Sequence, residues 1–339
     1  MKKFLITLLI FSICAMTVFS FAACSKKTTT DEIVIAVPDG GPALGMSYLM
    51  KNYSTISKTK VTYKIVDGAN GIKSAVMSGE ADVAIMPTNM AAILYNGGTE
   101  IQLVGTNSYG LLYMLSNTIA PDAFTLDALK GQVLHTVGQG GTPEIVLKKV
   151  LEGAGVEYEE SDTAIAGKVA IKFHAEGTTI IGGLKQGNIH FAVLGEPAVS
   201  TAIQKVGGNL AIVCDLQEKW KTAANSDASY PQTALVAKKS LIESDPYLIK
   251  LIAQYTVDCA KALVEDAAPY IAELKDREAT VPDTFGAEGV ARTNIKPAFG
   301  ATAKADVEAY FNILKDFKAP LIGGKLPDEG FYYSVSVKE

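Results

Sequence analysis

Six short segments of this chain place glycine, proline and small polar side chains where a β-rich run passes into a helical one. They are Pro38-Asp39-Gly40-Gly41-Pro42, Pro87-Thr88-Asn89, Gly105-Thr106-Asn107-Ser108-Tyr109, Gly138-Gln139-Gly140-Gly141-Thr142-Pro143, Glu176-Gly177-Thr178-Thr179 and Gly195-Glu196-Pro197. At such junctions the first N–H groups of a helix have no partner within it and favour polar or anionic ligand atoms. In an open α/β sheet this is also the edge where ligands sit. Within Gly138 to Pro143, three glycines let backbone N–H groups approach a ligand, Thr142 is placed to cap and Pro143 to start the helix. The segment suits a polar head group and, equally, an ordinary turn. It is not a nucleotide motif, because GQGGTP does not fit GxGxxG and no lysine follows as in a phosphate-binding loop.

The candidate ligand set is Asp39, Gly41, Thr88, Asn89, Asn107, Gln139, Gly140, Thr142, Thr178 and Glu196. Its amides and hydroxyls are neutral donors and acceptors. Asp39 and Glu196 either accept hydrogen bonds from an amino or hydroxyl group of a ligand or cap the helices that follow them. Tyr109 and Tyr113 either wall the site or simply pack. None of the six segments contains lysine or arginine, which favours an uncharged, zwitterionic or amine-bearing organic solute over a simple oxyanion. Helix N-termini alone supply ~0.3–2 kcal/mol each, against about −8 kcal/mol for micromolar capture.

Catalytic and metal chemistry find little support. His135, His174 and His190 fall in predicted strands far apart in the sequence, with no His-x-His or HExxH spacing, so structural roles are expected and no metal. There is no Gly-x-Ser-x-Gly elbow and no cysteine beside a base. Cys214 and Cys259 read as small buried apolar residues, and no cofactor is implied.

The chain has 339 residues, enough for two or three domains, and its 48% hydrophobic content is ample for packed cores. Its net charge of −5, and its having two arginines, Arg277 and Arg292, argue against nucleic acid as a partner. Residues 1–23 read as an export signal: Lys2 and Lys3, an apolar run from Phe4 to Phe21, then Ala22-Ala23 before Cys24. An uncleaved membrane anchor is the alternative, since about 20 apolar residues span a bilayer. Residues 24–32 read as a polar, flexible tether.

From Ile33 onward, β-rich runs alternate with helical ones, the order of a doubly wound α/β sheet. Residues 68–89 align without a gap on residues 176–197, pairing Ile72 with Ile180, Val76 with Leu184, Gly79 with Gly187 and Ile85 with Val193. Two α/β lobes follow from this repeat: residues 33–116 with 231–339 as lobe I, and residues 117–230 as lobe II, joined by two crossings that form a hinge. Pro246 after Asp245 starts a long helix whose stripe, Leu248, Ile252, Tyr255, Cys259 and Leu263, is packing.

An export leader, two similar lobes crossed twice and polar helix-start loops facing a cleft resemble the type II periplasmic binding proteins. Within that class the chain resembles the solute-binding component of nitrate-, taurine- and sulfonate-type ABC importers, a group with relatives that bind thiamine pyrimidine precursors. The likeness is carried by Gly41 to Met46, by Gly79-Glu80-Ala81-Asp82-Val83-Ala84-Ile85-Met86-Pro87-Thr88-Asn89, by Gly138 to Glu144 and by Ile322 to Asp328. The resemblance implies a monomer with no enzymatic activity. Such a protein closes its lobes on a small solute and delivers it to a membrane permease and its ATPase. Cys24 stands where bacterial lipoproteins are lipidated, which implies attachment to the outer face of the cytoplasmic membrane; Phe21 departs from the usual leucine there. The alternative is an enzyme on the same fold, of the pyrimidine-forming or chorismate-dehydrating kind.

Overall fold

The structure is a computed structural model that describes residues 28–226, 228–282 and 285–338. The leader and Cys24 lie outside the described residues. The chain first runs through β1 (Glu32–Pro38), α1 (Gly41–Leu44), α2 (Ser47–Asn52), β2 (Thr55–Ile56), β3 (Thr59–Val66), α3 (Gly68–Met77), β4 (Val83–Pro87), α4 (Thr88–Asn96) and β5 (Ile101–Tyr109). It continues through β6 (Leu112–Ser116), β7 (Val133–Val137), α5 (Thr142–Gly153), β8 (Tyr158–Glu160), β9 (Val169–His174), α6 (Gly177–Gln186), β10 (Phe191–Gly195), α7 (Ala198–Val206), β11 (Ala211–Asp215) and α8 (Leu216–Ala224). It ends with β12 (Pro231–Lys238), α9 (Lys239–Ser244), α10 (Pro246–Glu265), α11 (Ala268–Asp276), α12 (Ala287–Arg292), β13 (Ile295–Phe299) and α13 (Gly300–Lys318).

Two sheets result, ordered β13-β5-β12-β4-β1-β3-β2 and β11-β6-β10-β7-β9-β8. Each has a parallel core, β4-β1-β3 in the first, flanked by antiparallel β12 and β2, and β10-β7-β9-β8 in the second, flanked by antiparallel β6. The patterns follow from position. Central β1 is buried on both faces and reads Ile-Val-Ile-Ala-Val, whereas β3, next to the edge, alternates buried Thr59 and Val61 with exposed Lys60 and Thr62. The two copies of the repeat occupy equivalent places, α3 with β4 and α6 with β10. Their stop glycines, Gly79 and Gly187, both adopt φ +74°, a left-handed conformation costly for any residue with a Cβ.

The boundary between lobes differs from the expected one. β6 belongs to the second sheet, so the first crossing is at Gly110-Leu111 rather than after residue 116. Two consecutive apolar strands carry no sheet label in sequence; what separates them is Gly110, where a Cβ would lie 2.6 Å from both Gln217 Cγ and Tyr230 Cζ. The chain returns over residues 225–230 into β12.

The expected tether also ends earlier than residue 32. Thr28 is fully buried, and the Thr29 and Thr30 N–H groups donate to Asp245 Oδ2 at 2.6 and 3.0 Å. The same carboxylate caps α10 through Leu248 N–H.

One face of the first sheet packs on α2 and α10 through Ile33, Ile35, Leu248 and Ile252. On the opposite face, α3, α4 and α13 share a continuous core with α5 and α8 of the second lobe. There Trp220 of α8 meets Tyr230 and Tyr310 edge-on at 5.2 and 5.8 Å.

Candidate functional site

A cleft of about 620 Å³ opens between the C-terminal edges of the two sheets. On the first lobe its wall is the β1–α1 turn, Pro38 to Pro42, together with Asp67 and Gly68 at the start of α3. Its floor is made by Leu111 of the first crossing and by Gln232 and Thr233 at the start of β12. Gln232 Oε1 is buried there without a hydrogen-bond partner. On the second lobe the wall is two helix faces. Thr178, Ile181, Gly182 and Lys185 of α6 recur at helical spacing, as do Ala198, Thr201 and Lys205 of α7. Neither α3 nor α6 is capped by a side chain, so the cleft meets unspent N–H groups at both starts.

Four of the ten candidate residues line this cleft: Asp39, Gly41, Thr178 and Glu196. Both acids are already occupied. Asp39 accepts from Gly40 N–H at 2.7 Å and from Thr280 N–H at 2.9 Å. Glu196 accepts from Ser200 N–H, Ser200 Oγ and Arg292 Nε at 3.1, 2.9 and 2.6 Å. The capping alternative therefore describes Glu196, with an ion pair added.

The other six lie elsewhere. Thr88 and Asn89 open α4 just behind Pro87 and are buried, with Thr88 Oγ1 and Asn89 Oδ1 unpartnered. Asn107 is buried against Gly45. Gln139, Gly140 and Thr142 do not reach the cleft. Gly140 N–H is satisfied at 2.5 Å by Glu144, which reaches back from the first turn of α5, and Gln139 donates to Glu160. Tyr109 and Tyr113 are packing tyrosines whose hydroxyls go to Asp306 and to the Arg292 carbonyl.

The cations of the cleft come from helix bodies, which the loops did not reveal. Among the described residues, Lys185, Lys205 and Asp67 form no ion pair. The signal was available in sequence, as a stripe at helical spacing ending in lysine on each of two consecutive helices.

No protein-family model matches the chain, and no curated protein matches it. Solved structures do. A crystal structure of an ABC transporter from Parabacteroides distasonis superimposes with a TM-score of 0.74 at 24% identity, covering 89% of this chain and 98% of that one. The periplasmic aliphatic sulphonate binding protein SsuA from Escherichia coli gives 0.65 at 15%, covering 92% and 94%. The alkanesulfonate-binding protein SsuA from Xanthomonas axonopodis pv. citri, bound to MOPS, gives 0.61 at 11%, covering 90% and 96%. The fold is that of the type II periplasmic binding proteins.

In this type II fold, the remaining reactive groups stand away from the cleft. A larger hollow, of about 1150 Å³, lies between the C-terminal half of α10, α12, β13 and the chain's tail, and none of the six loops reaches it. Cys214 and Cys259 are free and buried in different lobes, and burial pushes their thiols up to about 11 and about 12. Among the described residues no group of three His, Cys, Asp or Glu is placed to hold a metal, and no helix is long and apolar enough to cross a membrane.

The fold does bring two of the three histidines together. His135 Nδ1 and His174 Nε2 are 2.8 Å apart on the same face of β7 and β9. His190 precedes β10 and meets Asn117. Burial, then His174 and Lys172, hold His135 down to about 4; burial and then Lys172 lower His174. Between pH 6.5 and 4 the unfolded chain therefore takes up protons that the native pair refuses, and stability is lost as pH falls through that window. The urea midpoint is expected to drop between pH 7 and pH 5, and the drop to shrink in His135→Asn. An identical drop in that variant would remove the pair as its source.

Proposed function

We propose that the protein is the solute-binding component of an ABC importer, working outside the cytoplasmic membrane as a monomer tethered by lipid on Cys24. In this reading it captures a small zwitterionic organic solute by closing its lobes about the two crossings, passes it to a permease with its ATPase, and catalyses nothing itself. Support comes from the fold shared with proteins described as ABC-transporter and sulphonate-binding components.

The observation that carries the reading is the charge arrangement of the cleft. Lys185 and Lys205 face it from the second lobe and Asp67 from the first, over a floor offering Gln232 Oε1. Of the three solute classes favoured by the loops, this arrangement supports the zwitterion. Its acidic end goes to the lysines and the start of α6, its amino end to Asp67. Asp39 and Glu196 already accept hydrogen bonds from within the chain, and Glu196 is also paired with Arg292, which leaves Asp67 as the less committed acid.

The test is calorimetric titration with 2-aminoethanesulfonate, glycine betaine, ethanesulfonate, ethylamine and nitrate. A zwitterion is expected to bind tightest, at micromolar Kd or better. Tight binding of nitrate alone, or turnover of any compound, overturns the reading.

A further inference from the structure

We propose that Arg292 is a specificity-determining residue of the cleft, acting by cancelling the charge of Glu196 where that carboxylate would otherwise repel the anionic end of a solute. The inference rests on the cleft being a solute site. Glu196 lies between Gly195 and Pro197, which both line the cleft, and its side chain is fully buried. A carboxylate so placed is poorly screened, and its field reaches the space that Lys185 and Lys205 make attractive to anions.

Arg292 arrives from α12, ninety-six residues later in the chain. It sets Nε 2.6 Å from Glu196 Oε1, while its Nη2 donates to Ser200 Oγ at 3.1 Å. Geometry alone does not require this guanidinium. The cap on α7 is already made by Ser200 N–H on Oε2 and Ser200 Oγ on Oε1. What the arginine adds is a positive charge, and the chain's other arginine is held at Glu273 and the Met50 carbonyl. Glu288, 3.8 Å from Nη1, is 95% exposed, so solvent screens its claim on the same charge.

The charge of the cleft can be read without knowing the solute. Thr178 is exposed on the cleft wall and the two native thiols among the described residues are buried, so Thr178→Cys places a reporter thiol there. Its reaction rates with anionic and cationic methanethiosulfonates are compared at low salt, with the protein lacking the added thiol as blank. Arg292→Gln is expected to lower the anion-to-cation rate ratio by about three- to tenfold. Glu196→Gln is expected to raise it, and the double variant to return it near the parent value. A purely structural pair predicts no such reversal of sign. Unchanged ratios in both single variants, or shifts in the same direction, overturn the proposal. The ratios judge Arg292 and the calorimetric panel judges the solute reading, so the two fail separately.

Discussion

Replacing Lys185 and Lys205 together by glutamine is expected to weaken binding of 2-aminoethanesulfonate on the order of a hundredfold while leaving the melting transition where it was. Each lysine sits at the end of a helix stripe on the cleft wall, exposed and without an ion pair among the described residues. Neither holds the fold together. A charged hydrogen bond to a ligand contributes about 1.5–3 kcal/mol, and each ~1.4 kcal/mol is a factor of ten in Kd. Solvent screening at exposed positions pulls the pair toward the lower end of that range. The loss should fall on the acidic end of the solute, so ethylamine binding, if measurable, should not weaken. Calorimetry on the double variant decides the matter. Unchanged affinity would mean that the solute's anionic group lies elsewhere, and a lost melting transition would mean that the lysines are structural.

The same lysines show where reading the sequence stops. The alternation of strands and helices and the repeat of residues 68–89 at 176–197 contain the two-lobe fold, because each copy has the apolar spacing and stop glycine that its unit needs. The loops at strand ends gave Asp39, Gly41, Thr178 and Glu196, all on the cleft. Inspecting loops alone, however, passes over the helix faces behind them, and Lys185 and Lys205 stand two turns into α6 and α7. The glycine-rich segment at residues 138–143 looked richest in free N–H groups, yet Glu144 reaches back to Gly140. That is a local interaction four residues apart, and an acid in the first turn after the glycines was legible. The partner of Glu196 was not: nothing at position 196 indicates that a charge will come from Arg292. The misplaced boundary has a similar origin, since it depends on three side chains crowding Gly110 from later parts of the chain.

Trp220→Ala is expected to cost about 3–5 kcal/mol of stability, the usual range for deleting a large buried aromatic side chain, and to split unfolding into two steps. Trp220 is 2% exposed. It lies on α8 of the second lobe, while Tyr310 lies on α13, which packs on the first sheet, and Tyr230 lies in the returning crossing. The three rings therefore join both lobes on the side away from the α6 and α7 wall. Removing the central ring leaves a cavity that Tyr230 and Tyr310 cannot close without moving the crossing, so both packing and inter-lobe coupling are lost together. Trp220→Phe should restore most of the stability and the single transition, because it keeps an aromatic edge against both tyrosines. Guanidinium unfolding followed by circular dichroism measures both quantities. A single transition with a loss below about 1 kcal/mol would mean that the lobes are coupled elsewhere, through the rest of their shared core or the Glu196–Arg292 contact.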